Sequence, residues 1–341
     1  MIVSPAKAGL TRRALLSAAA AMPLAGLIRP ARAAEFTYKL ATGQDPTHPV
    51  NIRAEEAARR VLEATSGRVE IKVFPANQLG SDTDLLSQVR SGGVELFNLS
   101  ASILATLVPV SGIVNTGFAF PDYPAVWRTV DGPLGVYIRE QIAKAGLVAP
   151  VKFWDNGFRQ VTSSTREIKT PEDLKGFKIR VPPAPMLTSV FKQLGAAATP
   201  INFNELYSAL QTKVVEGQEN PLAIIASTRL YEVQRFCSMT GHVWDGYLIL
   251  ANRRAWGALP EDLRLVIVRE FERAGLDQRA DIAALSTSLR ADLTAKGITF
   301  LDVDREAFRK ALAQTSFYGD WRAKYGDEAW SLLEASVGKL G

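Results

Sequence analysis

Arg180 is the residue whose type and setting best suit the binding of an anion. It lies in the alternating segment Phe177-Lys178-Ile179-Arg180-Val181, which predicts a β-strand, and a charge that faces the core from such a strand needs a partner. A guanidinium group binds a carboxylate through two parallel hydrogen bonds, which a lysine cannot reproduce. The strand pattern leaves two partners open: an Asp or Glu of the protein, or the carboxylate of a ligand.

A second polar stretch, residues 216–220, follows an apolar run and directly precedes Pro221. Apolar residues at every fourth position from Leu206 to Val214 predict a helix. We expect Gly217 to end this helix in the left-handed conformation and Pro221 to prevent its continuation. The side-chain amide of Asn220 would then be held on a stiff backbone, where it could bind a polar ligand or belong to a solvated turn.

The sequence offers little for catalysis or metal binding. It has two histidines, His48 and His242, one cysteine, Cys237, and none of the common motifs for hydrolysis, zinc binding or phosphate binding. A single cysteine cannot form an intramolecular disulfide. We therefore expect no enzymatic activity, no metal ion and no cofactor, with Cys237 a buried, inert thiol and His242 packed inside the protein or lining a pocket.

Strand and helix patterns alternate along the first hundred residues. Strands are predicted at 36–40, 69–73 and 94–99, with helices at 49–65 and from Ser81 onward. This order predicts an α/β fold with a mostly parallel sheet, and ligands of such sheets bind at the carboxyl ends of the strands. The polar candidates in those loops are Gln44, Asp45, Asn77, Gln78 and Ser100.

The segment from Pro260 to Lys296 repeats apolar residues every three or four positions, which predicts one long helix. Its length would be roughly 54 Å, more than a single domain of this protein could cover. Such a helix would span two domains. A break at Gly275 into two ordinary helices is the alternative.

Residues 1–33 have the pattern of an export leader. Arg12-Arg13 precede an Ala/Leu-rich stretch that ends at Ile28, and Ala31-Arg32-Ala33 offers a cleavage site before Ala34, which predicts a twin-arginine signal peptide. The apolar stretch is shorter than the roughly 20 residues of a membrane-spanning helix. We expect a periplasmic protein that does not itself span the membrane.

The net charge of +5 comes entirely from the leader, which holds five of the 40 Lys and Arg residues and none of the 35 Asp and Glu residues. The mature chain is formally neutral. Its composition therefore does not indicate nucleic-acid binding.

Several motifs together resemble the solute-binding proteins of TRAP transporters, the DctP-type family. They occur in the order and at the approximate spacing of that family, over nearly all of the chain after the leader. The motifs are Gln78-Leu79-Gly80, Gly157-Phe158-Arg159-Gln160, residues 177–182, Phe203-Asn204-Glu205-Leu206-Tyr207, residues 211–221, Tyr231-Glu232-Val233-Gln234 and Leu259-Pro260-Glu261-Asp262-Leu263.

The resemblance implies a two-domain fold like that of periplasmic binding proteins, of a type II-like kind, with a cleft between the domains and a long helix that spans both. We expect domain I to comprise residues 34–155 and about 246–285, and domain II residues 156–245 and about 286–341.

The resemblance also implies the ligand and its contacts. Arg180 matches the arginine that clamps the ligand carboxylate in the family, Arg159 a second pocket arginine, and Asn220 the amide of the Gln-Glu-Asn-Pro motif. The remaining candidates for the pocket lining are Trp154, Phe203, Trp244, Tyr247, Gln44 and Ser100.

The implied function is capture of a small organic acid by closure of the cleft, followed by delivery to the small and large membrane subunits of a TRAP transporter. The acid could be a dicarboxylate, a sugar acid, a keto acid or an aromatic acid, and we expect a monomer. A receptor for an ABC importer or a sensor kinase, and an exported enzyme on the same scaffold, are the alternatives.

Overall fold

The computed structural model of the protein describes residues 1–4 and 33–341. Nearly all of the predicted leader, including the arginine pair, lies outside the described residues. Residues 34–341 form one unit by their contacts. No helix in the described ranges combines the length and the apolar character needed to cross a membrane.

The described residues contain twelve β-strands in two sheets. They are β1 Phe36–Thr42, β2 Val69–Phe74, β3 Leu96–Ser100, β4 Leu147–Val148, β5 Trp154–Phe158, β6 Gln160–Ser163, β7 Lys178–Val181, β8 Ala197–Pro200, β9 Gly217–Asn220, β10 Phe236–Ser238, β11 Trp244–Asn252 and β12 Thr299–Leu301.

Thirteen α-helices occur in the same part of the chain. They are α1 Pro49–Ala64, α2 Asp82–Ser91, α3 Ala101–Leu104, α4 Tyr123–Val130, α5 Pro133–Lys144, α6 Pro185–Gln193, α7 Leu206–Gln211, α8 Leu222–Ser227, α9 Arg253–Ala258, α10 Glu261–Ala295, α11 Arg305–Ala313, α12 Phe317–Tyr325 and α13 Asp327–Val337. Short 3₁₀ helices lie at Pro109–Asn115, Pro171–Leu174, Phe203–Glu205 and Leu230–Glu232.

The first sheet has the strand order β2-β1-β3-β11-β4, and β5 also pairs with β11. Strand β1 is parallel to β2 and β3, whereas β11 is antiparallel to β3. The predicted parallel α/β core is therefore confirmed. Its three strands end near the predicted polar loops.

The second sheet has the order β12-β10-β6-β9-β7-β8. Strand β7, which carries Arg180, is parallel to β8 and β9, and β9 is antiparallel to β6. The strand with the predicted anion-binding arginine thus lies beside the strand that contains Asn220.

The chain passes between the two sheets at three places in the described residues. Strand β5 belongs to the first sheet and β6 to the second, so the first crossing is at Arg159. The second lies between β10 and β11, and the third is made by α10, which precedes β12.

Helix α10 is continuous over 35 residues, which confirms the single long helix. Its first half packs on α1 through side chains such as Leu263 and Phe271, and its second half packs on α8 through Leu289 and Leu293. Gly275 does not break the helix. A Cβ atom at this position would lie 2.6 Å from Nε1 of Trp154, so the glycine allows the indole to approach the helix closely.

The C-terminal helices α11 to α13 add buried aromatic residues, among them Phe308 and Trp330. Helix α13 packs on α4 and α5, which precede the first crossing, although the sequence assigns residues 286–341 to domain II. The domain limits remain a prediction.

The prediction that Gly217 ends a helix is wrong. Helix α7 ends at Gln211, Lys213 takes the left-handed conformation with φ 58°, and Gly217 begins strand β9. A Cβ atom at Gly217 would lie 2.1 Å from the carbonyl oxygen of Thr162, which explains the glycine. Pro221 then precedes α8 directly and starts a new helix.

Cys237 lies in β10 and is fully buried, as predicted. Burial raises the pKa of its thiol to about 12. The thiol is therefore protonated at neutral pH and chemically inert.

Candidate functional site

A narrow cavity with an empty volume of about 420 Å³ is lined by residues of both sheets. Gln44 follows β1 and Asn98 lies in β3 of the first sheet, whereas Arg180 and Asn220 come from β7 and β9 of the second. Arg159, at the first crossing, lies between them. Parallel strands end at the same edge of a sheet, which brings these polar side chains together.

Most of the residues predicted for the site lie at this cavity. Those that line it are Arg180, Arg159, Asn220, Phe203, Tyr247, Gln44 and Ser100.

Arg180 is a buried cation whose charge has no ion-pair partner in the described part of the chain. Its side chain is 1% exposed, and Nε donates a hydrogen bond to the carbonyl oxygen of Ile201 at 2.9 Å. Its Nη2 atom is buried and has no hydrogen-bond partner among the described residues. Burial lowers the pKa of Arg180 to about 10, although Glu219 opposes the shift. The guanidinium group is therefore charged at neutral pH.

Arg159 also lines the cavity, but carboxylates of the protein already compensate its charge. Its Nε and Nη2 atoms donate to the two carboxylate oxygens of Glu219, and Nη2 also reaches the Glu219 carbonyl oxygen at 2.7 Å. Its Nη1 atom lies 3.4 Å from Oδ2 of Asp245. Burial opposes the charge of Arg159, but Glu219 and Asp245 outweigh it and raise its pKa. Arg159 therefore connects the two sheets through a buried ion pair.

Asn220 is held in place on both sides of its amide. Its Oδ1 accepts a hydrogen bond from Arg159 Nη2 at 3.0 Å, and its Nδ2 donates to Oε1 of Gln218. Gln218 in turn donates to Thr162 Oγ1 at 2.8 Å. One Nδ2 hydrogen of Asn220 is left for another acceptor, because an amide nitrogen carries two.

Asp245 is the centre of a second buried network, on the first-sheet side. It accepts hydrogen bonds from Ser100 at 2.6 Å, Asn115 at 2.8 Å and Asn156 at 2.8 Å. Tyr247 donates to Oδ1 of Asn156 at 2.9 Å. Ser100 and Tyr247 therefore face the cavity with their hydroxyl groups already bonded to the protein.

Asp82 and Asn98 line the cavity although they were not predicted as site residues. Asp82 was interpreted only as part of a helix start, where Ser81 does cap α2. Asn98 is a polar residue near the end of an otherwise apolar strand, and that exception to the pattern could have identified it. Both amide atoms of Asn98, and Oε1 of Gln44, are buried without a hydrogen-bond partner among the described residues.

Phe203 provides an apolar wall of the cavity together with Pro182 and Ile224. It also borders an adjoining groove that contains Tyr207. A ligand in the cavity would therefore meet polar groups from the strands and an apolar surface from these loops.

Trp154 and Trp244 do not line the cavity, which corrects the prediction. Trp154 packs between the first sheet and α10 and has its ring centroid 6.4 Å from that of Phe271. Trp244 donates from Nε1 to Asp155 at 2.9 Å and packs on Phe120 and Trp127. Both are core residues with 1% of their surface exposed. The helices that cover them lie far away in the sequence, so the local strand pattern does not reveal their burial.

His242 is packed inside the protein, one of the two positions expected for it. Its Nε2 lies 3.0 Å from Oε2 of Glu219, and its Nδ1 lies 2.8 Å from Thr240 Oγ1. Burial lowers the pKa of His242, against the effect of Glu219. Within residues 1–4 and 33–341, no group of three His, Cys, Asp or Glu side chains is placed to hold a metal ion.

The two-sheet fold and the cavity between strand ends agree with the family to which the chain belongs. Residues 40–317 match the model of the bacterial extracellular solute-binding proteins, family 7, also called DctP. This match covers more than half of the chain and shows that the protein is a member of the family.

Particular relatives are similar over most of this chain. Protein y4mM of Sinorhizobium fredii is 37% identical over 308 residues, which is 89% of this chain but only 57% of that relative. The 2,3-diketo-L-gulonate-binding periplasmic protein YiaO of Escherichia coli is 32% identical, over 78% of this chain and 81% of its own.

A TRAP periplasmic solute-binding protein of Sulfurospirillum deleyianum, solved with bound succinate, has the same fold. It superimposes with a TM-score of 0.84 at 29% identity, over 89% of this chain and 99% of its own.

Proposed function

We propose that the protein captures a small organic acid outside the cytoplasm and delivers it to the membrane subunits of a TRAP transporter. Membership of the family supports this, as do the names of the relatives: one binds 2,3-diketo-L-gulonate and one was solved with succinate. Both of those ligands carry a carboxylate. The ligand class for this chain is therefore an organic carboxylate.

The observation that carries the proposal is the state of Arg180. A buried cation without an ion-pair partner is costly, because the charge has lost its hydration and gained no anion in return. Nη2 of Arg180 is buried without a hydrogen-bond partner in the described chain, while Nε is fixed by Ile201. A ligand carboxylate beside Arg180 would provide both the missing charge and the missing acceptor.

Arg159 and Asn220 assist in this mechanism. Glu219 and Gln218 hold them in position before the ligand arrives, so little side-chain entropy is lost on binding. The Nη1 group of Arg159 and the second Nδ2 hydrogen of Asn220 are the donors that can still reach a carboxylate.

Closure of the cleft follows from where the cavity residues lie. Groups from both sheets must approach the ligand together. In the described residues three crossings join strands of the two sheets, and the C-terminal helices return from β12 to pack on α4 and α5. We propose that the two domains close around the bound acid and exclude water, which strengthens each charge-assisted hydrogen bond.

We further propose where the protein acts and how it reaches that compartment. Residues 1–33 direct export by the twin-arginine route and are removed before Ala34, and the mature chain acts in the periplasm as a monomer without enzymatic activity. The family match supports the binding role, as does YiaO, which is named as a periplasmic binding protein.

The test is a thermal-shift screen of residues 34–341 against dicarboxylates, sugar acids, keto acids and aromatic acids. An acid present at about a thousand times its dissociation constant stabilises the protein by about 4 kcal/mol, enough to raise the melting temperature by several degrees. We expect at least one acid to do so.

Variants of Arg180 then test the clamp by calorimetry. Loss of one partner from a buried charged pair costs about 2–5 kcal/mol, so Arg180→Ala should weaken binding by roughly 30-fold to several thousand-fold. Arg180→Lys should bind weakly too, because it keeps the charge but not the paired donors. Arg309→Ala is the control, since that arginine is paired with Glu306 at the surface. Wild-type affinity in Arg180→Ala would refute the clamp.

A further inference from the structure

The first-sheet side of the cavity carries polar side chains that take no part in binding the carboxylate at Arg180. Asp82, Asn98 and Gln44 line it. Their side chains are 6%, 3% and 8% exposed, so they are almost completely shielded from bulk water. We refer to these three residues as the first-sheet subsite.

Several hydrogen-bonding atoms of the first-sheet subsite have no partner among the described residues. Neither amide atom of Asn98 has a partner among the described residues, nor has Oε1 of Gln44. Asp82 accepts from Nδ2 of Asn77 at 3.0 Å through Oδ1, and its Oδ2 has no protein donor in the same part of the chain. Buried polar groups are rarely left without partners, so the atoms of Asn98 and Gln44 indicate a polar portion of the ligand, and Oδ2 of Asp82 is a further acceptor beside them.

The charges around the cavity allow only one carboxylate. Arg159 and Arg180 are the cations among the lining residues, and Arg159 is already paired with Glu219 and Asp245. A first ligand carboxylate uses Arg180. A second one would find no remaining cation and would lie in a cavity that contains the carboxylate of Asp82.

The pKa of Asp82 supports the same argument. Burial raises it above the ordinary value, against the effects of Asn77 and Arg180. A second ligand carboxylate nearby would raise the pKa of Asp82 further, because the two negative charges repel each other. This repulsion would weaken the binding of a dicarboxylate.

Hydroxyl groups match the unused atoms better than an ammonium group does. Oδ2 of Asp82, Oε1 of Gln44 and Oδ1 of Asn98 need donors, but Nδ2 of Asn98 needs an acceptor. A hydroxyl group donates and accepts at once, whereas an ammonium group only donates.

We propose, on the basis of the proposed function, that the first-sheet subsite binds hydroxyl groups of the ligand and excludes a second carboxylate. The protein would then select hydroxylated monocarboxylates over dicarboxylates. Asp82 would be the residue that determines this selectivity.

The test uses pairs of acids that differ at one end only. Erythronate and meso-tartrate, and gluconate and glucarate, differ in whether the terminal carbon is a primary alcohol or a carboxylate. Butyrate lacks the hydroxyl groups, and 4-aminobutanoate carries an ammonium group instead. By calorimetry on residues 34–341, we expect each hydroxylated monocarboxylate to bind at least about tenfold more tightly than its dicarboxylate partner, and more tightly than the other two acids.

Two variants assign the selectivity to Asp82. In Asp82→Asn, which keeps an acceptor for Asn77, we expect the preference for the monocarboxylate to fall by about tenfold or more. In Asp84→Asn, which removes the same charge from the exposed side of the same helical turn, we expect the preference to be unchanged. An unchanged preference in Asp82→Asn would show that another group determines it.

The outcomes also separate this inference from the proposed function. If a dicarboxylate binds as tightly as its partner and binding is lost in Arg180→Ala, the inference is wrong and the proposed function stands. Tightest binding of 4-aminobutanoate would likewise refute the hydroxyl assignment. If no acid of either screen binds, the proposed function fails, and the inference fails with it.

Discussion

Replacing Gly275 with alanine should destabilise the protein, although alanine normally favours a helix. Gly275 lies in the middle of α10, and an added Cβ would come within 2.6 Å of Nε1 and 2.8 Å of Cδ1 of Trp154. The indole is 1% exposed and packs on Phe271, so it has little room to move away. Overpacking of this kind costs about 1–3 kcal/mol. Alanine recovers up to about 1 kcal/mol through helix propensity, and a net loss remains.

Urea unfolding of residues 34–341, followed by circular dichroism, measures this effect. The matched control is Gly319→Ala in α12, where no atom outside the helix lies within 4 Å of the added Cβ. The control should gain about 0.5–1 kcal/mol, so the two substitutions should have opposite signs. If Gly275→Ala is as stable as the wild type or more stable, the close approach of Trp154 does not explain the glycine.

Two further predictions concern the buried charges. Glu219→Gln removes the closer of the two carboxylates paired with Arg159 and leaves Asp245, at 3.4 Å, as its one anionic partner in the described residues. This should cost about 3–5 kcal/mol of the free energy of unfolding, measured with urea. A loss below about 1 kcal/mol, as expected for exposed Glu306→Gln, would contradict the ion-pair assignment. Burial raises the pKa of Asp155 from its ordinary value of 3.8 to about 7, so its contribution to stability is fully present below the ordinary value and is lost as the pH rises through about 7. Asp155→Asn should therefore gain stability relative to the wild type as the pH rises from about 4 to about 7 in melting experiments, with a constant difference above that range. An unchanged difference between about pH 4 and about pH 7 would refute the shift.

Strands and helices that follow from the pattern of neighbouring residues could be predicted from the sequence. The alternation of strands and helices was enough for the parallel core of β1, β2 and β3, and the apolar period was enough for α10. The resemblance of short motifs to one family predicts Arg180 and Arg159 as site residues; both line the cavity, and their part in binding stays a prediction.

The errors at Gly217, Trp154 and Trp244 share one physical cause, which is contact between residues far apart in the chain. A glycine before a polar turn has the same local appearance whether it ends a helix or begins a strand, and only the carbonyl oxygen of Thr162 shows why Gly217 is a glycine. Trp154 and Trp244 stand near strand ends, but distant segments cover them. Asp82 was missed because the helix start at Ser81 already accounted for an acidic residue there.

The single cysteine makes the protein a convenient background for site-specific labelling. Cys237 is buried and protonated, so thiol-reactive dyes should leave it untouched in the folded protein. Cysteines introduced at Ile52 in α1, which packs on the first sheet, and at Val214, just before β9 of the second sheet, would occupy exposed positions, 45% and 62% accessible to solvent. A donor and an acceptor dye at these positions would test the proposed closure directly, in a chain that keeps its natural cysteine.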